Sequence, residues 1–212
     1  SLSCVVIEKR SDVIIVKFNQ PVKKVLEAAD KIGHIPVPPY IEKEPAKLAD
    51  YQTIYARRTG SAAAPTAGFH FTPRLSRELK KMGVETAFIT LHVGLGTFRP
   101  VKTEKVEEHK MHGEWAEISS AVAKAISRAK AEGRRVIAVG TTTARTLEGA
   151  AAVGQGAARA SGGLARFSGD INLFITPGFK FKIIGGLITN FHLPKSTLLM
   201  LAAAFIGSRE RA

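Results

Sequence analysis

The sequence predicts an α/β fold with a barrel-like, mixed or largely parallel sheet and flanking helices, and three observations carry that expectation. From Thr72 onward helical stretches alternate with short apolar strands. A helix bearing Leu75, Leu79 and Met82 on one side is followed by the apolar run Thr86 to Val93, and a helix bearing Val122, Ala125, Ile126 and Ala129 by Val136 to Gly140. Each helix ends on a glycine, Gly83 or Gly133, that lets the chain turn back toward a strand. In such folds ligand-binding residues belong at the carboxyl ends of the strands.

Taken in order, Val5-Val6-Ile7 and Val13-Ile14-Ile15-Val16-Lys17-Phe18 are β-branched runs on either side of Arg10-Ser11-Asp12, a hairpin that needs another sheet to bury it. Asn19 is placed to cap a helix starting at Pro21, with Val22, Val25, Leu26, Ala29 and Ile32 on one side and Gly33 as its stop. His34-Ile35-Pro36-Val37-Pro38-Pro39-Tyr40 is extended, because a residue before proline is pushed out of the α region, and serves either as a linker or as a wall of a cleft. Asp50 to Arg57 reads as a short helix presenting Tyr51, Gln52 and Tyr55.

The stretch from Ala62 to Thr72 fits neither core nor regular helix. Pro65 fixes one φ angle, Gly68 permits a close or left-handed backbone, and Thr72 before Pro73 reads as an N-cap and first helical residue. Thr66 and His70 on this shaped loop either serve the turn itself or face a ligand with hydroxyl and imidazole. Thr86 to Val93 predicts a strand buried on both faces, and Ser119 or Ser120 caps the following helix. From Ala150 to Gly169 a run of Gly, Ala, Ser and Arg has no periodicity, which predicts a mobile surface loop at about 151–169.

Three strand ends then hold the candidate site residues. His92 precedes the glycine-rich Val93-Gly94-Leu95-Gly96-Thr97-Phe98-Arg99, with Thr97 and Phe98 as candidate substrate contacts. Gly140-Thr141-Thr142-Thr143-Ala144-Arg145 opens a helix whose free N–H groups, hydroxyls and guanidinium suit a carboxylate or phosphate, unless Arg145 simply pairs with Glu148. Thr189-Asn190-Phe191-His192-Leu193-Pro194-Lys195 leads into a last helix, with Asn190, His192 and Lys195 as candidates.

Thirty-one Lys plus Arg against eighteen Asp plus Glu give a net charge of +13, which favours an anionic partner such as nucleic acid, phosphate or a membrane surface. No apolar run approaches the roughly twenty residues of a spanning helix, so a soluble protein is expected. The single Cys4 rules out an internal disulfide framework and a multi-cysteine zinc site, which fits a reducing, cytoplasmic setting. His109 and His112, three apart, lack the spacing of a zinc motif, so no metal is expected. Gly94-Leu95-Gly96 lacks the third glycine and following acid of a dinucleotide fingerprint, and no phosphate-loop motif occurs. Phe98, Trp115 and Tyr55 are able to stack on bases, although packing is the default for each.

Taken together, Tyr51-Gln52-Thr53-Ile54-Tyr55-Ala56, Ala63-Ala64-Pro65-Thr66-Ala67-Gly68-Phe69-His70-Phe71-Thr72, Leu91 to Phe98, Gly140 to Arg145 and Thr189 to Leu199 resemble the S-adenosylmethionine:tRNA ribosyltransferase-isomerase family of the queuosine pathway. The similarity runs from about His34 to Gly207, broken by the loop after Ala150. It implies that residues 1–20 are the end of a small inserted β domain and 21–212 an α/β catalytic domain, incomplete at its carboxyl end.

The family activity implied is transfer and isomerisation of the ribosyl part of S-adenosylmethionine onto 7-aminomethyl-7-deazaguanine at the tRNA wobble position. The product is epoxyqueuosine, with adenine and methionine released and S-adenosylmethionine consumed as cosubstrate. A sulfonium acidifies the neighbouring ribose C5′ protons, so the chemistry needs a base near pH 7, a donor to adenine and an anchor for the methionine carboxylate. Histidine suits the first two tasks, since its ordinary pKa is about 6.5. His70 and His92 are the favoured acid–base pair, with His112, Glu114 and His192 in reserve. Thr141, Thr142, Thr143 and Arg145 are the expected carboxylate anchor, and Arg99, Lys102, Lys105 and Lys110 the expected tRNA phosphate contacts of a monomer. A non-catalytic basic RNA-binding fragment and a metal-dependent hydrolase are the alternatives.

Overall fold

The computed structural model describes residues 1–10, 14–38, 41–43, 45–94, 113–153, 163–191, 194 and 196–207. The hairpin forms as expected: β1 (Cys4–Lys9) pairs antiparallel with β2 (Ile14–Phe18) from Cys4 opposite Phe18 to Lys9 opposite Ile14, with a bulge between Val6 and Glu8. Val5, Ile7 and Ile14 on it remain exposed. Asn19 does not cap the next helix. Its side-chain carbonyl accepts from the Ser3 N–H at 2.9 Å and closes the hairpin, so α1 (Val22–Ile32) starts behind Pro21 with no side-chain cap. Gly33 ends α1, donating its N–H to the Ala29 carbonyl at 2.8 Å.

The helix expected over residues 50–57 is instead a single 3-10 turn, Leu48–Tyr51. Past it the Gln52 side chain accepts from the Thr53 N–H at 2.9 Å, a local bond that competes with helix and leaves Gln52 extended. The loop after Pro65 forms a second 3-10 turn, Thr66–His70. Thr72 then caps α2 (Pro73–Lys81), its hydroxyl accepting from the Leu75 N–H at 3.1 Å, and Gly83 leaves the helix at a φ of 77°.

The α/β character stands, but the sheet differs from the largely parallel, barrel-like expectation. Among the described residues there are five α-helices and no closed barrel. β4 (Glu114–Ile118) is the middle strand of a three-stranded antiparallel sheet, flanked by β3 (Thr90–His92) and β6 (Phe167–Ile171). β5 (Ile137–Val139) and β7 (Gly186–Ile188) form a separate parallel pair. The reason lies in β4, where Glu114, Ala116 and Ile118 are buried and Trp115 and Glu117 are not, the alternation of a strand covered on one face. β3 is accordingly a short outer strand, and Phe88, in the run expected to be buried on both faces, is exposed.

α3 (Ser120–Ala131) is capped by Ser119, and α5 (Thr197–Ile206), which follows α4 (Thr141–Val153), is capped by Ser196. One core joins Ile118, Ala123, Ile126, Ala138, Ala144, Leu147, Ile183 and Ile184, so α3 and α4 cover the buried face of β4. A smaller cluster of Ile175, Leu201 and Ala204 seats α5. Both flanks of the loop expected over 151–169 are ordered into other structure. α4 continues through Val153, and Leu164 is buried, bonded through its backbone to the Ser127 hydroxyl, before β6 begins at Phe167; residues 154–162 lie outside the described residues. No helix among the described residues is long and apolar enough to cross a membrane.

Candidate functional site

Because β5 and β7 run parallel, their carboxyl ends lie side by side. The Gly140 N–H donates to the Ile188 carbonyl at 2.8 Å and extends the ladder to the point where α4 begins. Gly140 takes a φ of 93°, which only glycine accommodates without strain, so the strand turns sharply into the helix. Thr141 is buried there, and Thr142 and Thr143 are half-buried.

The Ala62 to Thr72 stretch is fastened to two strand ends. Beyond β3, the Val93 carbonyl accepts from the N–H groups of Ala62 at 2.9 Å and Ala63 at 3.2 Å, while the Val93 N–H donates to the Ser61 hydroxyl at 2.9 Å. Beyond β7, Asn190 Oδ1 lies 2.8 Å from His70 Nε2, and Asn190 Nδ2 donates to Thr66 Oγ1 at 2.9 Å. Thr66, His70 and Asn190 are thus one hydrogen-bonded group, with His70 exposed and Asn190 half-buried. The loop rests on aromatic packing: Tyr51 meets Phe69 edge-on at 5.4 Å, and Gly68 admits the Tyr55 hydroxyl where any Cβ would overlap it. Burial pushes the Tyr55 phenol above its ordinary pKa.

His92 and Glu114 occupy opposite faces of the antiparallel sheet. His92 is paired with Trp115, their rings 5.0 Å apart, and successive side chains alternate, which puts Glu114 on the face toward α4. Gly60 crosses His92 so closely, at a φ of 134°, that a Cβ there would sit 2.5 Å from His92 Nδ1. That nitrogen is buried and has no hydrogen-bond partner among the described residues.

Glu114 and Arg145 form a buried ion pair, Arg145 Nη1 to Glu114 Oε2 at 2.9 Å, and Arg145 Nε also donates to the Leu173 carbonyl at 3.1 Å. Among the described residues only Nη2 is left over, buried and without a partner. Desolvation lowers the Arg145 pKa, opposed by the Glu114 carboxylate. Glu148, the partner that helical spacing offers Arg145, instead accepts three backbone N–H groups, from Lys182 at 2.8 Å, Ile183 at 2.9 Å and Ile184 at 3.0 Å.

Thr97, Phe98, Arg99, Lys102, Lys105, His109, Lys110, His112, His192 and Lys195 lie outside the described residues. Among the described residues no group of three His, Cys, Asp or Glu is arranged to hold a metal ion. Sequence reasoning passed over Ser61 and Gly60, whose signal was the Gly60-Ser61 turn dipeptide just before the shaped loop.

A family model described as queuosine biosynthesis protein matches residues 2–212. The S-adenosylmethionine:tRNA ribosyltransferase-isomerase of Heliobacterium modesticaldum is 56% identical over 183 residues, 85% of this chain and 52% of that protein. The protein of the same name from Legionella pneumophila (strain Lens) is 47% identical over 207 residues, 97% of this chain and 58% of its own. Among solved structures, S-adenosylmethionine tRNA ribosyltransferase from Thermotoga maritima is similar at a TM-score of 0.52 and 31% identity, over 97% of this chain and 52% of that one. The chain therefore spans about half the length of the curated relatives it matches.

Proposed function

Since this chain belongs to the queuosine biosynthesis protein family, we propose that it is the reaction-bearing part of an S-adenosylmethionine:tRNA ribosyltransferase-isomerase. The observation that supports this most is the Thr66–Asn190–His70 group, which joins the shaped loop to the carboxyl end of β7, beside the start of α4. An exposed imidazole bonded to the segment after β7, with the turn into α4 hydrogen-bonded to the end of the same strand, suits the two needs of the chemistry, a proton acceptor and an anchor for a carboxylate.

In this reading S-adenosylmethionine lies across the ends of β5 and β7. Its methionine carboxylate meets the first-turn N–H groups of α4 and the hydroxyls of Thr141, Thr142 and Thr143. Arg145 contributes through Nη2 and through its positive charge beneath the helix start, because its other donors are committed to Glu114 and Leu173. His70 takes a proton from ribose C5′, the ylide rearranges with loss of adenine, and the deazaguanine aminomethyl nitrogen joins C1′ before epoxide closure expels methionine. His92, with His112, Glu114 and His192 in reserve, completes the acid–base set. Thr97, Phe98 and Lys195 contact substrate, and Arg99, Lys102, Lys105 and Lys110 contact tRNA phosphates. The net charge of +13 supports a polyanionic partner.

The test is to incubate the full-length protein with labelled S-adenosylmethionine and tRNA carrying the deazaguanine precursor. Free adenine should appear only with that tRNA. Tight tRNA binding without adenine release would identify an RNA-binding protein instead.

A further inference from the structure

A neutral imidazole donates through one ring nitrogen and accepts through the other, and which tautomer is present follows from the groups its nitrogens meet. Asn190 presents its carbonyl oxygen to His70 Nε2 at 2.8 Å, and a carbonyl only accepts, so Nε2 carries the hydrogen. At its other end the same amide donates from Nδ2 to Thr66 Oγ1 at 2.9 Å. Thr66 belongs to the same 3-10 turn as His70, whereas Asn190 follows β7, so the amide clamps both ends of the turn from a separate element. Among the described residues no hydrogen bond reaches His70 Nδ1, and the ring is exposed.

We propose that Asn190, braced by Thr66, is a positioning residue that holds His70 as its Nε2–H tautomer and thereby makes Nδ1 the atom that accepts the substrate proton. The proposal rests on the catalytic reading above, and it changes the role of Asn190 and Thr66 from substrate contacts to supports of the base. The step balances simply. The C5′ proton passes to Nδ1, the bonding pair stays on carbon as the sulfonium ylide, and the imidazolium keeps its Nε2–H bond to Asn190. Because the amide is neutral, it orients the ring without trapping the proton by ion pairing, so Nδ1 is able to return it to a leaving group.

The test uses the full-length protein with ¹⁵N-labelled histidine at about pH 8.5, above the ordinary histidine pKa of about 6.5, with the His70 signals identified by their loss in His70→Gln. The parent should show a protonated Nε2 and an unprotonated Nδ1. Asn190→Ala should move both nitrogens toward averaged values, whereas Asn190→Asp, which keeps an acceptor oxygen and lets the Thr66 hydroxyl donate, should preserve the parent pattern. In turnover, Asn190→Ala should lose about tenfold or more in kcat with little change in KM, less than the hundred- to ten-thousand-fold expected on removing the base itself. An Nδ1–H tautomer in the parent, or a pattern that Asn190→Ala leaves unchanged, overturns the positioning role. The predicted tautomer together with undiminished turnover in His70→Ala overturns the proton-transfer role and the catalytic reading behind it.

Discussion

Removing Arg145 should destabilise the protein more than any exposed charge does, because it breaks a buried ion pair with Glu114. Both side chains are almost fully buried, at 7% and 8% exposure, and their contact is 2.9 Å. Arg145→Met keeps much of the volume but removes the ion pair and the donor to the Leu173 carbonyl. Breaking one side of a buried pair typically costs about 3–5 kcal/mol. That is a large part of the roughly 5–15 kcal/mol that separates native from unfolded states. Replacing both partners with apolar residues leaves no carboxylate buried without its ion pair, so Arg145→Met with Glu114→Leu should be more stable than Arg145→Met alone. Arg128→Ala serves as the control. Its 3.2 Å contact with Glu85 joins side chains that are 58% and 55% exposed, and such surface pairs contribute about 0–1 kcal/mol. Urea unfolding followed by the fluorescence of Trp115, the neighbour of Glu114 and the one tryptophan of this sequence, would read all three. A loss below about 1 kcal/mol in Arg145→Met, within the range of exposed pairs, or a double variant weaker than the single one, would refute the reasoning.

Gly68→Ala should cost about 1–3 kcal/mol, as overpacking does, since its Cβ would overlap the Tyr55 hydroxyl and come within 2.7 Å of Thr53 Cγ2; a melting temperature equal to the parent's would contradict that packing. Burial raises the Tyr55 pKa, so the folded state holds this proton more tightly than the unfolded one. The resulting stability is fully present below the ordinary tyrosine pKa of about 10 and fades as pH rises through the folded value. Tyr55→Phe should therefore flatten the stability profile above about pH 10, and an unaltered slope would remove Tyr55 as a contributor. If Arg99, Lys102, Lys105 and Lys110 each meet a phosphate, four contacts at about −0.7 to −0.9 in log–log slope predict tRNA binding weaker by about fifty- to 150-fold between 50 and 200 mM salt. Binding that is flat with salt would exclude those contacts.

Local signals were legible in the sequence and long-range pairing was not. The Thr72 cap, the Gly83 and Gly133 stops and the hairpin depend on neighbours a few residues away, and each is found where the residue types place it. Asn19 failed as a cap because the bond to Ser3, sixteen residues back, outcompeted the helix. Strand direction was misread because an apolar run such as Thr86 to Val93 does not state its partner, while the alternation in β4 that marks an antiparallel strand covers only five residues. At the candidate site the residue types were visible but not their grouping. Asn190 reaches His70 across 120 positions, and Arg145 reaches Glu114 across 31, where helical spacing had offered Glu148. Glu148 serves a backbone turn 34 to 36 positions away.

The most direct measurement of the central claim is single-turnover adenine release by the full-length protein and its His70→Ala variant, with tRNA carrying the deazaguanine precursor and with tRNA affinity measured in parallel. A positioned acid or base contributes about a hundred- to ten-thousand-fold in rate, so the variant should bind tRNA as the parent does and release adenine slower by that order. A folded His70→Ala protein that releases adenine within about threefold of the parent rate, well short of that range, would contradict the account.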